Sequence, residues 1–88
     1  MKNNNIKISN NLKECRLKAG LSQFDVTLKM GFRSNDRISK WENGSGLPSL
    51  INLFKLSDIY NVTPKELYPE IAEEVLQSRT HPSDLPHE

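Results

Sequence analysis

Side chains able to read or grip a nucleic acid crowd into one stretch of the sequence, Leu21 to Pro48. Asn35, Asp36, Arg37 and Lys40 are charged or hydrogen-bonding, with Ser34 just ahead and Ser39 among them. At the exposed N-terminal end of a short helix, such side chains reach base edges in the major groove. Asn bonds bidentately to adenine, Arg or Lys to guanine, and Asp accepts from the cytosine amino group. The helix ahead of it would offer free N–H groups to phosphates at its own start, where Ser22 and Gln23 stand. Lys13, Lys29, Arg33 and Asn43 extend that grip on the backbone.

Other chemistry has little support. The sequence has no phosphate-cradling glycine loop and no nucleophile elbow, and its only histidines, His81 and His87, lie near the end. Neither has a Cys or further His at ligand spacing, so no metal and no cofactor is expected. Asp25, Asp36 and Glu42 are scattered among caps and surface positions, without a signature of paired acid–base work. Cys15 falls on an apolar helix face and reads as a packing thiol. The expectation is a protein that is not an enzyme.

Several short helices must position the reading residues. Ile8, Leu12, Cys15 and Ala19 recur at three- and four-residue spacing and predict a first helix, with Ser9 or Asn10 as its cap if it starts late. Gly20 ends it. Ser22, with Asp25 three residues on, forms a capping-box pair that opens a second helix over about 23–30. Val26 and Met30 give that helix its inner face, whereas Phe24 and Leu28 fall outside it and form an apolar pair suited to a protein contact.

Gly31 to Ser34 makes a turn in which Phe32 tucks between helices. Ser34 or Asn35 caps the third helix, which presents Ile38 and Trp41 inward and closes at Gly44. Ser49 caps a fourth helix, where Leu50, Leu53, Phe54, Leu56 and Tyr60 repeat at helical spacing. Thr63 and Pro64 open a short fifth helix. Ile71, Ala72, Val75 and Leu76 mark a sixth over 69–79, with glutamates early and Arg79 late, as the helix dipole favours. The predicted organisation is all-α: a flexible N-terminal arm over 1–7, a five-helix domain over 8–68, a C-terminal helix over 69–79 and a disordered tail over 80–88.

Totals set the outer limits. Eighty-eight residues make one small domain with little room for a walled-off pocket. One cysteine excludes an internal disulfide and fits a reducing cytoplasm. No apolar run is long enough to span a bilayer, and the first residues lack a secretory signal. The expected location is the cytoplasm, at the nucleoid. The formal net charge is only +1, but it is unevenly placed. Residues 1–55 hold ten Lys/Arg against four acids, and residues 56–88 hold two against seven. A basic portion of that kind suits a polyanion.

The run Arg16, GLSQ at 20–23, Gly31, ISKWENG at 38–44, Pro48-Ser49-Leu50, Leu53, Leu56, Val62 and Leu67 resembles the Cro/phage-repressor-type (Xre) helix-turn-helix family over roughly 8–68. The resemblance implies a compact five-helix repressor-like domain, double-stranded DNA as partner and a homodimer on a palindromic operator. It implies that Gln23 touches a phosphate and bridges to a base-contacting side chain. Asn35, Asp36 and Lys40 would touch bases, with Ser34 and Arg37 beside them, and Arg16 would pair with Glu42.

Three departures from the family pattern stand out. The Gly31–Ile38 interval is one residue longer than the commonest family spacing, which shifts the start of the recognition helix and with it the base-contact register. Thr27 stands where a small alanine is usual. Asp36 brings negative charge to the reading end. Candidate dimer contacts are Leu47 and Ile51, the Ile59–Val62 region, and the stripe Ile71, Val75 and Leu76. The leading expectation is a transcriptional repressor; the alternative is an antitoxin or adaptor that engages another protein through Phe24 and Leu28 or through its C-terminal segment.

Overall fold

Each helix starts at a small polar residue or a proline. The computed structural model describes residues 7–78; the arm through residue 6, Arg79 and the tail at 80–88 with both histidines lie outside the described residues. Within that span the chain is all-helical: α1 (Leu12–Lys18), α2 (Gln23–Met30), α3 (Asp36–Glu42), α4 (Leu50–Tyr60), α5 (Pro64–Leu67) and α6 (Pro69–Gln77).

Two helix starts are closed reciprocally. Ser22 Oγ accepts from the Asp25 N–H, and the Asp25 carboxylate accepts from the Ser22 N–H. Thr63 and Glu66 repeat that capping box at α5, with Pro64 in the first turn. Both carboxylates are held below their ordinary range, chiefly by the cap N–H each accepts from. Ser49 caps α4 through the Asn52 N–H.

Most helices here are too short to persist alone, so packing must hold them. Leu12, Val26, Met30, Ile38, Trp41, Leu56, Tyr60, Leu67 and Tyr68 form the buried core. Burial of a side chain such as Leu12 or Ile38 is worth about 1.5–3 kcal/mol, enough to hold a seven-residue helix through two or three contacts. Burial pushes both core phenols up, Tyr68 to about 12, so neither ionises near neutrality. Cys15 is half-buried and its thiol is likewise raised by burial, which makes it a packing group rather than a nucleophile.

The start of the chain differs from the periodic reading. Ile8 lies before α1, and Ala19 is the exposed C-cap rather than a face residue. The late start holds, and Asn10 is the side chain that closes it: its Oδ1 accepts from the Leu12 N–H at 3.0 Å. Asn10 Nδ2 reaches across the fold to the Trp41 carbonyl at 3.1 Å. Beside it, the Ile8 N–H donates to the Gly44 carbonyl at 2.9 Å.

Gly44 is required on two counts. Its φ is +78°, in the left-handed region, and a Cβ there would lie 2.5 Å from the Ile8 carbonyl oxygen. The segment ahead of α1 is thus a strap across the end of α3.

On α4 the apolar period picks out the wrong face in part. Leu56 and Tyr60 are buried and Leu53 is half-buried, but Leu50 and Phe54 are 66% and 57% exposed. Buried Ser57 takes a place on the inner face. On α6 no residue is fully buried; Ile71 and Ala72 are half-buried and Val75 and Leu76 are exposed. The core therefore closes at Tyr68, and α6 lies against it from outside.

Candidate nucleic-acid interface

A buried arginine sets up the site. Arg16 is 6% exposed, and an isolated charge at that depth would be strongly unfavourable. Glu42 meets it as a fork: Arg16 Nε donates to Oε2 at 2.6 Å and Nη2 to Oε1 at 3.1 Å. Nη1 donates to the Leu21 carbonyl at 3.0 Å, at the entry to α2. The hydrogen bond to Glu42 raises the arginine's pKa further, against the opposing effect of burial. One ion pair thus joins α1, the α2 entry and the last turn of α3.

The pair also aims a glutamine. Glu42 Oε1 accepts a second hydrogen bond, from Gln23 Nε2 at 3.0 Å. A carboxylate only accepts, so the amide nitrogen of Gln23 must face it and the amide oxygen must face away. That oxygen accepts from Asn35 Nδ2 at 3.2 Å. By the same logic Asn35 keeps Oδ1 and one N–H turned outward. A four-member relay, Arg16–Glu42–Gln23–Asn35, runs from the core to the start of α3, and the polar pattern presented by Asn35 is fixed before any ligand arrives.

This geometry decides between the two proposed caps of α3. Asn35 occupies the N-cap position but makes no side-chain cap, because its amide is used by Gln23. Ser34 Oγ accepts weakly from the Asp36 N–H, at 3.4 Å.

An aromatic clamp sets the turn between α2 and α3. Phe32 meets Trp41 edge-on, with centroids 5.9 Å apart and planes at 69°. Arg37 lies over the other part of Phe32, its guanidinium carbon 4.5 Å from the ring centroid. Gly31 adopts φ +78° and starts the turn without strain. Thr27 is buried, and its hydroxyl is satisfied by donating to the Gln23 carbonyl at 2.8 Å.

On the outer side of α3, Asp36, Arg37, Lys40 and Asn43 are exposed, as are Ser34 and Asn35 at its start. The Lys40 stem runs beside Gly46, within 3.7 Å of where a Cβ would sit. Ser22, Lys13, Lys29 and Arg33 are exposed too, and Gln23 is half-buried at the start of α2. Arg16 and Glu42 are brought together as their pairing required; Gln23 and Asn35 are brought together as well.

A polar set of this kind at the head of a helix, held by a second helix across a glycine turn, is the arrangement of a DNA-reading motif. The helix-turn-helix family profile matches residues 12–67, well over half of the chain. The chain belongs to the Cro/phage-repressor-type helix-turn-helix family. It is a DNA-binding regulator, with α3 in the place of the recognition helix. No curated protein matches the chain closely enough to count as a relative.

In this helix-turn-helix protein the other surfaces are plainer. Among the described residues no group of three Cys, His, Asp or Glu is placed to hold a metal ion. Among them also, no helix is long and apolar enough to cross a membrane. Phe24 and Leu28 are 64% and 60% exposed on α2. Of the candidate dimer contacts, Leu47, Ile51 and Val75 are exposed, while Ile59, Val62 and Ile71 are half-buried against the core.

Asn10 closes α1 as one of the two expected caps, but sequence reasoning missed its second role, holding the Trp41 carbonyl. No local pattern could have found its second bond, since the partners are 31 residues apart.

Proposed function

We propose that this protein is a sequence-specific transcriptional repressor that binds a palindromic operator as a homodimer, in the cytoplasm at the nucleoid. The observation that supports it best is the relay ending on Asn35. A polar residue at the head of a recognition helix, oriented from the core, is prepared to read one base without reorganising. In this reading Asn35, Asp36 and Lys40 face base edges, with Ser34 and Arg37 beside them. Arg37 is partly committed to Phe32, so it acts at the turn and on the nearer phosphate. Ser22, Gln23, Lys13, Lys29, Arg33 and Asn43 follow the backbone.

Asp36 sharpens the reading. At the first position of α3 its charge suits the helix dipole but opposes phosphates. It therefore lowers general affinity for DNA and favours a site with a cytosine amino group within reach.

Selection from a randomised duplex pool tests the proposal. A two-fold sequence with half-sites about one helical turn apart is expected. Affinity for it should fall by about 10³-fold or more between 50 and 200 mM salt if six or more phosphates are neutralised. No enriched duplex at low salt would sink the operator reading. The exposed pair Phe24 and Leu28 favours a second reading, an antitoxin or adaptor with a protein partner. That reading predicts weak, unselective DNA binding, restored to specificity only with the partner present.

A further inference from the structure

α6 separates apolar from acidic residues along its whole length, yet buries none of them fully. Glu70, Glu73, Glu74 and Gln77 recur at three- and four-residue spacing and share one face; Ile71, Ala72, Val75 and Leu76 make the neighbouring one. Only Ile71 and Ala72 of that second set are half-covered.

Two open hollows flank the helix. The first, of about 290 Å³, is walled by apolar groups from three elements, among them Pro48, Leu53, Pro64 and Ala72, with Lys65 at its edge. The second, of about 580 Å³, has the strap residues Lys7, Ile8 and Ser9 on one side and Glu70, Glu73 and Glu74 on the other. Leu47 and Ile71 line both, so the hollows adjoin. Together they form a groove with an apolar end and an acidic end, and Leu47 lies 55% exposed between them.

Charge tells what fits the groove. Among the described residues the three glutamates take part in no ion pair, and Glu73 has only a long contact from Gln77 Nε2, at 3.5 Å. Like charges three and four residues apart weaken the helix that carries them. Lys7 is the one cation lining the acidic hollow, so three carboxylates face one ammonium. DNA and anionic lipid are repelled from such a wall. A second copy presenting its own α6 would set acid against acid. A neutral apolar ligand would fill the first hollow and leave the carboxylates unmet. An amphipathic helix satisfies both ends, because apolar anchors at i, i+3, i+4 and i+7 leave its flanks free for Lys and Arg. Opposite charge would also steer and select it.

We propose that the groove along α6 takes a basic amphipathic helix from another protein. Its apolar anchors enter the hollow beside Leu47, Leu53 and Ala72, and its Lys and Arg residues meet Glu70, Glu73 and Glu74. The surface does not depend on the operator reading, since its charge keeps it off the DNA. It does touch the reading helix indirectly: Ile8 lines the groove and donates its N–H to Gly44, at the end of α3.

Selection of short, randomly encoded displayed peptides on the full chain tests this, with depletion on a Glu73→Lys, Glu74→Lys double variant. Enriched peptides should carry several Lys or Arg residues between apolar ones at helical spacing. A synthetic copy of the best one, followed by fluorescence anisotropy, should bind at about micromolar concentration, as a small interface allows. The double variant should weaken it by about tenfold or more, and Leu47→Asp by a similar factor. Glu14→Lys with Asp58→Lys makes the same change of net charge at exposed positions elsewhere and should leave binding nearly unchanged. All these substitutions are at exposed positions, so circular dichroism should show the fold retained. If a variant does not fold, amide shifts of the wild type with the peptide decide: shifts over 47–53 and 68–77 support the groove, and shifts confined to α2 or α3 overturn it. No enriched peptide, enrichment of acidic ones, or equal loss in the control variant overturns it as well. Binding that appears only when residues 1–6 are removed gives the groove to the chain's own arm, and self-association with shifts on α6 gives it to a second copy; either result overturns the proposal. A peptide enriched without any duplex would remove the operator reading and leave the groove, and a duplex without any peptide would do the reverse.

Discussion

The two sides of α3 obey different physics. Inward, Ile38 and Trp41 are buried, and Glu42 holds three hydrogen bonds from Arg16 and Gln23. Outward, Asp36, Lys40 and Asn43 make no side-chain hydrogen bond to the rest of the protein among the described residues. The inner side has few acceptable alternatives, because each group there completes another group's bonding. The outer side can change without cost to the fold, which leaves it available for choosing a sequence. Asn35 stands between the two: exposed, yet held by the inner network.

The contrast breaks most sharply at Glu42. Glu42→Ala leaves Arg16 buried and unpaired and releases Gln23, and a loss of about 3–5 kcal/mol is expected. For a domain of this size that is a fall in Tm of about 12 °C or more, read by thermal melting. Glu74→Ala, on exposed α6, serves as control and should change stability by less than about 0.5 kcal/mol. Similar small shifts for both would show that the ion pair does little to hold the fold.

Gly44→Ala comes next. The left-handed backbone costs about 1–2 kcal/mol for a residue with a Cβ, and the Ile8 carbonyl in contact with it must move as well. A total of about 2–4 kcal/mol is expected in chemical denaturation; a loss below 1 kcal/mol would show that the strap yields easily. Lys40→Ala should then leave stability within about 0.5 kcal/mol while costing about 1–3 kcal/mol of discrimination at one base position. A uniform loss across all sequences would instead make Lys40 a phosphate contact.

The smallest effect concerns the caps. Asp25 and Glu66 have folded pKa values below their unfolded ones, so their stabilisation is present above the unfolded values of 3.8 and 4.5 and is lost as pH falls through the folded ones. Melting temperature should be level above about pH 5 and decline below about pH 4. Asp25→Asn together with Glu66→Gln should flatten that decline. An unchanged acid limb in the double variant would assign it to other carboxylates.

Local chemistry made much of this legible in advance. Ser22 with Asp25, and Thr63 with Pro64, announce helix starts because a cap acts within three residues. Arg16 and Glu42 were paired through a family resemblance, and the burial of both ends supplies the physical reason. Where contacts span the chain, the sequence was silent. Asn10 looks like a local helix cap until Trp41 folds beside it, and Gly44 looks like an ordinary helix terminator until Ile8 lies against it. Leu50 and Phe54 misled for another reason: α4 is apolar on more than one side, and periodicity alone does not say which side a neighbour will cover.

Asn10 has a consequence for how the molecule opens. Its single amide closes the first turn of α1 with the oxygen and holds the last turn of α3 with the nitrogen. Fraying at the start of a domain is ordinarily local and costs little. Here it would undo the beginning of one helix and the end of another in the same event. The Leu12 amide, which donates to Asn10, and the Ile8 amide, which donates to Gly44, should therefore exchange with deuterium at a common opening free energy, well above that of a loose terminus. The recognition helix is latched from the opposite end of the chain.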